Sequence, residues 1–125
     1  MVDISTHIKE FFSSLENTDD LDLNTYKIGE LRENTNWDPW ARKKGVYYFQ
    51  RDGRIVYVGC ALTTLGIRIS AQLKADQDED WRSVITDNEV VVGAIGFGKD
   101  NWFLAPALEA FLIDKFDPYF NKRIA

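Results

Sequence analysis

The chain has 125 residues, 15 basic and 20 acidic side chains (net −5) and 45% hydrophobic residues, which fits one soluble domain able to bury about two-thirds of its unfolded surface. It has no run of the roughly 18 apolar residues that a membrane span needs, and its N-terminus lacks a basic region followed by an apolar stretch, so neither a span nor a secretory leader is expected. A single cysteine, Cys60, and a single histidine, His7, exclude an internal disulfide and a Cys/His metal cage, and imply an intracellular, cytoplasmic location.

Ile4, Ile8, Phe11, Phe12 and Leu15 recur at helical spacing and predict an amphipathic helix over 4–16, with His7 an ordinary boundary residue beside the stripe. An acidic turn leads to Tyr26, Ile28 and Leu31, read as a second short helix. Pro39 and the polar cluster around it then break the chain, with Trp37 and Trp40 as packing anchors. Residues 1–41 hold nine acids and three bases, net −6, whereas 42–125 hold eleven acids and twelve bases, net +1. The acidity that would oppose phosphate binding thus belongs to an acidic helical N-terminal extension, 1–41, and 42–125 forms the functional unit. The extension is a candidate surface for a protein partner, and is expected to lie beside the basic edge of the 42–125 unit and limit access to it.

Val46–Phe49 and Ile55–Val58 are apolar, aromatic and β-branched runs flanking a turn with Asp52-Gly53, a strong hairpin signal. Two registers are open. A two-residue loop pairs Tyr47 with Val58 and sends Tyr47 and Tyr57 to opposite faces. A three-residue loop, with Gly53 in the left-handed position of a G1 bulge, pairs Tyr47 with Tyr57; this is the expected register. Arg42, Lys43, Lys44, Arg51 and Arg54 surround the hairpin against Asp52 alone, either as a solvated edge or as a phosphate-contacting patch.

Leu62, Leu65, Ile69 and Leu73 predict a helix over 63–75, with Arg68 and Gln72 four apart on one edge. Asp76, Asp78 and Asp80 have the spacing of a calcium loop but lack its glycine and its final glutamate, so a solvated linker is expected. Trp81–Thr86 reads as a short helix or turn, 89–97 as a strand buried on both faces in the sheet centre, and Ala105–Phe116 as a helix with Glu109 at the edge of its apolar surface. Pro118 ends that helix before a short extended segment, Tyr119-Phe120-Asn121. The expected fold is α+β: a small three-stranded antiparallel sheet flanked by helices, with the N-terminal helical extension.

No histidine base or paired cysteine nucleophile is present. Tyr47, Tyr57, Arg68, Glu109 and Asn121 offer a different chemistry. A single carboxylate can hold Mg²⁺ while water and phosphate complete its shell, an arginine fork can clamp a phosphate, and phenols can orient or activate water when neighbours lower their pKa.

These residues are also where the chain resembles the GIY-YIG nucleases. Gly45-Val46-Tyr47 and Tyr57-Val58-Gly59 resemble the two-part signature, Arg68 the arginine of the following helix, Glu109 the metal-binding glutamate, and Pro118-Tyr119-Phe120-Asn121 the ending of the excision-repair incision nuclease domain. The resemblance covers roughly 44–123. Gln72 stands where many members carry histidine or tyrosine, and Cys60 where some carry lysine. The resemblance implies an endonuclease that hydrolyses DNA phosphodiester bonds by single-metal, tyrosine-assisted in-line attack of water, leaving a 5′-phosphate. It would use Mg²⁺ or Mn²⁺ on Glu109, with Tyr47, Tyr57, Arg68, Glu109 and Asn121 catalytic and Gln72, Lys44, Arg51 and Arg54 contacting substrate. The alternative is a catalytically weak or inactive module of the same fold that binds nucleic acid or a protein partner.

Overall fold

The computed structural model describes residues 4–15, 21–75 and 78–122. Helix α1 (Ile4–Ser14) lies where the apolar spacing predicts it; the side chains of His7, Phe11 and Phe12 are outside the description. Strand β1 (Asp22–Lys27) then enters a sheet of four antiparallel strands, not three, in the order β1-β4-β2-β3, with β2 (Gly45–Arg51), β3 (Arg54–Ala61) and β4 (Val91–Gly96). The 1–41 segment is therefore not wholly helical. Asp22, Asn24 and Tyr26 face inward on β1 while Leu23 and Thr25 are exposed, an inverted polarity that conceals the strand in the sequence. The second helix, α2 (Ile28–Glu33), begins only after it, and the Glu30 carboxylate accepts from the Lys27 backbone N–H at 3.0 Å. The interior position expected for 89–97 holds, because β4 lies between β1 and β2.

The hairpin corrects the loop. Asp52 (φ 52°) and Gly53 (φ 77°) form a two-residue turn with Arg51 opposite Arg54, not the three-residue loop. Gln50 pairs with Ile55 but Phe49 with Tyr57, so Val56 is an extra residue in β3. This bulge moves Tyr47 opposite Gly59 and returns Tyr57 to the face of Tyr47. The two phenols share a face, as expected, but as diagonal neighbours brought together by a bulge.

One face of the sheet, with Tyr47, Phe49, Val92 and Ala94, packs against α2, α3 (Leu65–Lys74) and α4 (Glu79–Ile85). Trp81 of α4 anchors this core: its ring lies 5.1 Å from those of Phe49 and Phe120, and its Nε1 donates to the Gln72 carbonyl at 3.2 Å. Trp40 is also buried and stacks 5.8 Å from Trp37, so both are packing anchors. The other face, with Val46, Val58 and Ile95, receives α5 (Ala105–Phe116). Asp117, at φ 48°, stops α5, and Tyr119–Lys122 forms a helical turn, α6, rather than the expected extended segment.

Candidate active site at the edge of strand β3

Tyr47 is wholly buried and its ring lies across the backbone of Gly59, its strand partner. A Cβ at Gly59 would meet Tyr47 Cζ at 2.3 Å, so the glycine of the second motif is required by the tyrosine of the first. The Tyr57 ring is 6.1 Å from that of Tyr47. From α3, Gln72 Nε2 donates to both phenol oxygens, at 3.2 Å to Tyr47 and 3.4 Å to Tyr57. Thr64 fixes the start of α3 by accepting from the Ile67 N–H at 3.2 Å, which sets exposed Arg68 one turn before Gln72.

Glu109 comes from the opposite layer. It and Arg68 both act electrostatically on Tyr57, from one face of β3, and on Cys60, from the other. The charges of Arg68, from α3, and Glu109, from α5, are therefore both felt at β3, the open edge of the sheet. Burial pushes the Tyr57 phenol well above its ordinary pKa; the charge and hydrogen bond of Tyr47 raise it further, and Arg68 opposes them. The second phenol thus raises the proton affinity of Tyr57, where the sequence leads one to expect a lowering. Burial likewise raises the Glu109 carboxyl, against the pull of Arg68.

Asn121 has a different position from the rest. Its Oδ1 accepts from the Val58 N–H and its Nδ2 donates to the Val58 carbonyl, both at 2.8 Å. The amide caps the outer edge of β3 between Tyr57 and Gly59, as another strand would. Both ends of the Asn121 amide are thus engaged by the Val58 backbone.

Solved structures of one fold resemble this chain. The GIY-YIG N-terminal endonuclease domain of UvrC from Thermotoga maritima, as an asparagine-to-alanine point mutant bound to its catalytic divalent cation, superposes with a TM-score of 0.55 and 25% identity over 73% of this chain and 93% of that one. The same domain bound to magnesium gives 0.54 and 24% over 73% and 94%. This chain has the GIY-YIG endonuclease-domain fold. No family model matches its sequence, and no curated protein matches it.

Glu109 suits a GIY-YIG metal position by the chemistry of its surroundings. It is a half-buried carboxylate that forms no ion pair within 4.0 Å among the described residues, so a cation there would offset its desolvation. No group of three or more His, Cys, Asp or Glu side chains among the described residues forms a competing metal cage. One carboxylate fits Mg²⁺, which retains much of its water. No helix among the described residues is long and apolar enough to cross a membrane.

The expected substrate contacts are not gathered in one place. Arg51 and Arg54 lie at the turn end of the hairpin, where Arg51 donates to Ser83 Oγ at 3.2 Å. Lys44 precedes β2 at the opposite end, its Nζ 4.1 Å from the centroid of the Trp102 ring. Of the acidic N-terminal third, Asp22 reaches Lys43 at 3.3 Å. The Lys44–Trp102 and Tyr47–Gly59 contacts escape a sequence reading because each joins positions that only the folded sheet makes neighbours. An aromatic residue opposite a motif glycine is the signal for the second.

Proposed function

We propose that the chain is a metal-dependent endonuclease of GIY-YIG type acting on DNA. The observation that supports this reading is the Tyr47–Tyr57 pair, bridged by Gln72 and with Tyr57 under the charges of Arg68 and Glu109, in a fold shared with an endonuclease domain bound to magnesium. In-line attack of water on phosphorus breaks one P–O bond, leaving a 5′-phosphate and a 3′-hydroxyl. Arg68, exposed on α3, offers a planar fork to the phosphate oxygens. Tyr57 keeps its proton at neutral pH and so orients the attacking water as a phenol instead of deprotonating it. Tyr47, locked over Gly59, holds Tyr57 in place, and Asn121 holds the strand that carries it. Glu109 would hold Mg²⁺ or Mn²⁺, which supplies charge neutralisation and a more acidic water when bound.

Glu109→Ala is expected to abolish metal-dependent nicking of supercoiled plasmid while circular dichroism shows an unchanged fold. Equal nicking by variant and parent would remove Glu109 from the mechanism. A second reading, a nucleic-acid-binding module that does not cut, is favoured by one observation: the Gln72 amide occupies both phenol oxygens and has no proton to exchange in catalysis. Salt-dependent DNA binding with no cleavage under Mg²⁺ or Mn²⁺ would select it.

A further inference from the structure

Lys44, Lys99 and Trp102 wall a groove of about 310 Å³, together with Arg42, Lys43 and Phe97. Four of the seven residues that line it are cationic. Two are committed: Arg42 pairs with Asp38 at 3.0 Å and Lys43 with Asp22 at 3.3 Å. Lys44 and Lys99 have no carboxylate partner within 4.0 Å among the described residues. The Lys44 ammonium is instead held over the exposed indole of Trp102, 4.1 Å from its centroid. A cation–π contact positions an ammonium without neutralising it, so Lys44 remains available to an anion.

The backbone places this groove beside the proposed catalytic edge. The Lys43 carbonyl accepts from the N–H of Leu65, the first residue of α3, and the Lys44 carbonyl accepts from the N–H of Phe97, both at 2.8 Å. Trp102 begins the 3₁₀ turn that runs directly into α5. The groove therefore sits where the two helices carrying Arg68 and Glu109 begin. At ~1.5 Å of rise per residue, Arg68 lies about 4.5 Å and Glu109 about 6 Å along its helix from that end. At ~3.4 Å of axial rise per nucleotide, a strand crossing the β3 edge would bring phosphates about two nucleotides from the cleaved bond over the groove.

We infer that the groove walled by Lys44, Lys99 and Trp102 is a subsite for backbone phosphates flanking the cleaved bond. The substrate class of the proposed site is then a polynucleotide strand rather than an isolated phosphodiester. The inference rests on the nuclease reading for the direction of the strand, and Trp102 acts in it as a positioning residue for Lys44.

The test measures binding of the full chain to a labelled DNA duplex by fluorescence anisotropy, in EDTA, across a series of potassium chloride concentrations. Lys44→Ala/Lys99→Ala is expected to reduce affinity roughly 60-fold at ~0.1 M salt and to make the slope of log K against log salt shallower by about 1.8, the value for two lost phosphate contacts. Lys74→Ala/Lys115→Ala removes the same charge from exposed positions elsewhere and should leave the slope unchanged. An unchanged slope in the groove variant, an equal loss in the control, or no binding by the parent at low salt would each overturn the inference. The nuclease reading is scored separately, by metal-dependent nicking with the parent chain and its loss in Glu109→Gln.

Discussion

Replacing Asn121 by alanine removes two 2.8 Å hydrogen bonds at once, one to each backbone polar group of Val58. Val58 is 1% exposed, so its N–H and C=O would be left with little access to water. An orphaned buried polar group costs about 1–3 kcal/mol; partial entry of water into the space left by the side chain brings the pair to about 2–4 kcal/mol. Against a domain stability of about 5–15 kcal/mol this is a large share. The expected fall in melting temperature is roughly 8–16 °C, at ~4 °C per kcal/mol for a domain of this size. Urea unfolding followed by circular dichroism should show a lower midpoint with an unchanged m-value. Asn121→Asp supplies a control: the introduced carboxylate can still accept from the Val58 N–H but faces the Val58 carbonyl with a second acceptor. Its loss should be at least as large at neutral pH, and smaller at low pH, where the protonated carboxyl can donate. A loss below about 0.5 kcal/mol in Asn121→Ala would refute the clamp.

Gly59→Ala puts a Cβ 2.3 Å from Tyr47 Cζ and 2.4 Å from its Oη. Because Tyr47 is fully buried, the clash should destabilise by about 1–3 kcal/mol or more, and truncating Tyr47 in the same chain should recover part of that loss in a double-mutant cycle. Glu109 has a folded pKa raised by burial above its ordinary value of 4.5, so the folded state holds that proton more tightly than the unfolded chain. Its contribution to stability therefore falls as pH rises from about 4.5 through the folded pKa. Glu109→Gln should melt higher than the parent above that window and lose the advantage below it; melting temperatures across a pH series check this, and a variant that melts lower at neutral pH contradicts it. Added Mg²⁺ should raise the parent's melting temperature and leave that of Glu109→Gln unmoved, because only a native-state ligand shifts the equilibrium.

The strands of the hairpin are legible because Asp52-Gly53 and the flanking aromatic runs are local signals. The bulge at Val56 is not, since no glycine, proline or break in the β-branched run marks the extra residue in the sequence. The expected register reached the right face for Tyr57 through the wrong loop, because a bulge and a longer turn both displace the strand by one residue. Strand β1 is hidden for another reason. Its apolar Leu23 is 59% exposed and its inward side carries Asp22 and Asn24, so alternation of polarity signals nothing; the strand forms because β4 would otherwise present an unpaired edge. The motif residues of the candidate site are legible through their resemblance to the GIY-YIG signature, since none of them stands out singly. What could not be read was the division of labour among them: that Asn121 is consumed by Val58, that Gln72 bridges both phenols, and that Lys44 lies on Trp102, at the opposite end of the hairpin from Arg51 and Arg54.

Single-turnover cleavage of a labelled DNA duplex at graded Mg²⁺, with the parent chain beside Arg68→Ala and Glu109→Gln, bears most directly on the central claim. Cleavage by the parent that saturates with Mg²⁺ and stops in EDTA is expected. Glu109→Gln should show none at any Mg²⁺ concentration, and Arg68→Ala should be slower by roughly a hundredfold or more, the scale of removing one group that stabilises transition-state charge. Cleavage by all three at the same rate, or none by the folded parent at any Mg²⁺ or Mn²⁺ concentration, would contradict the assignment of the β3 edge as a nuclease site.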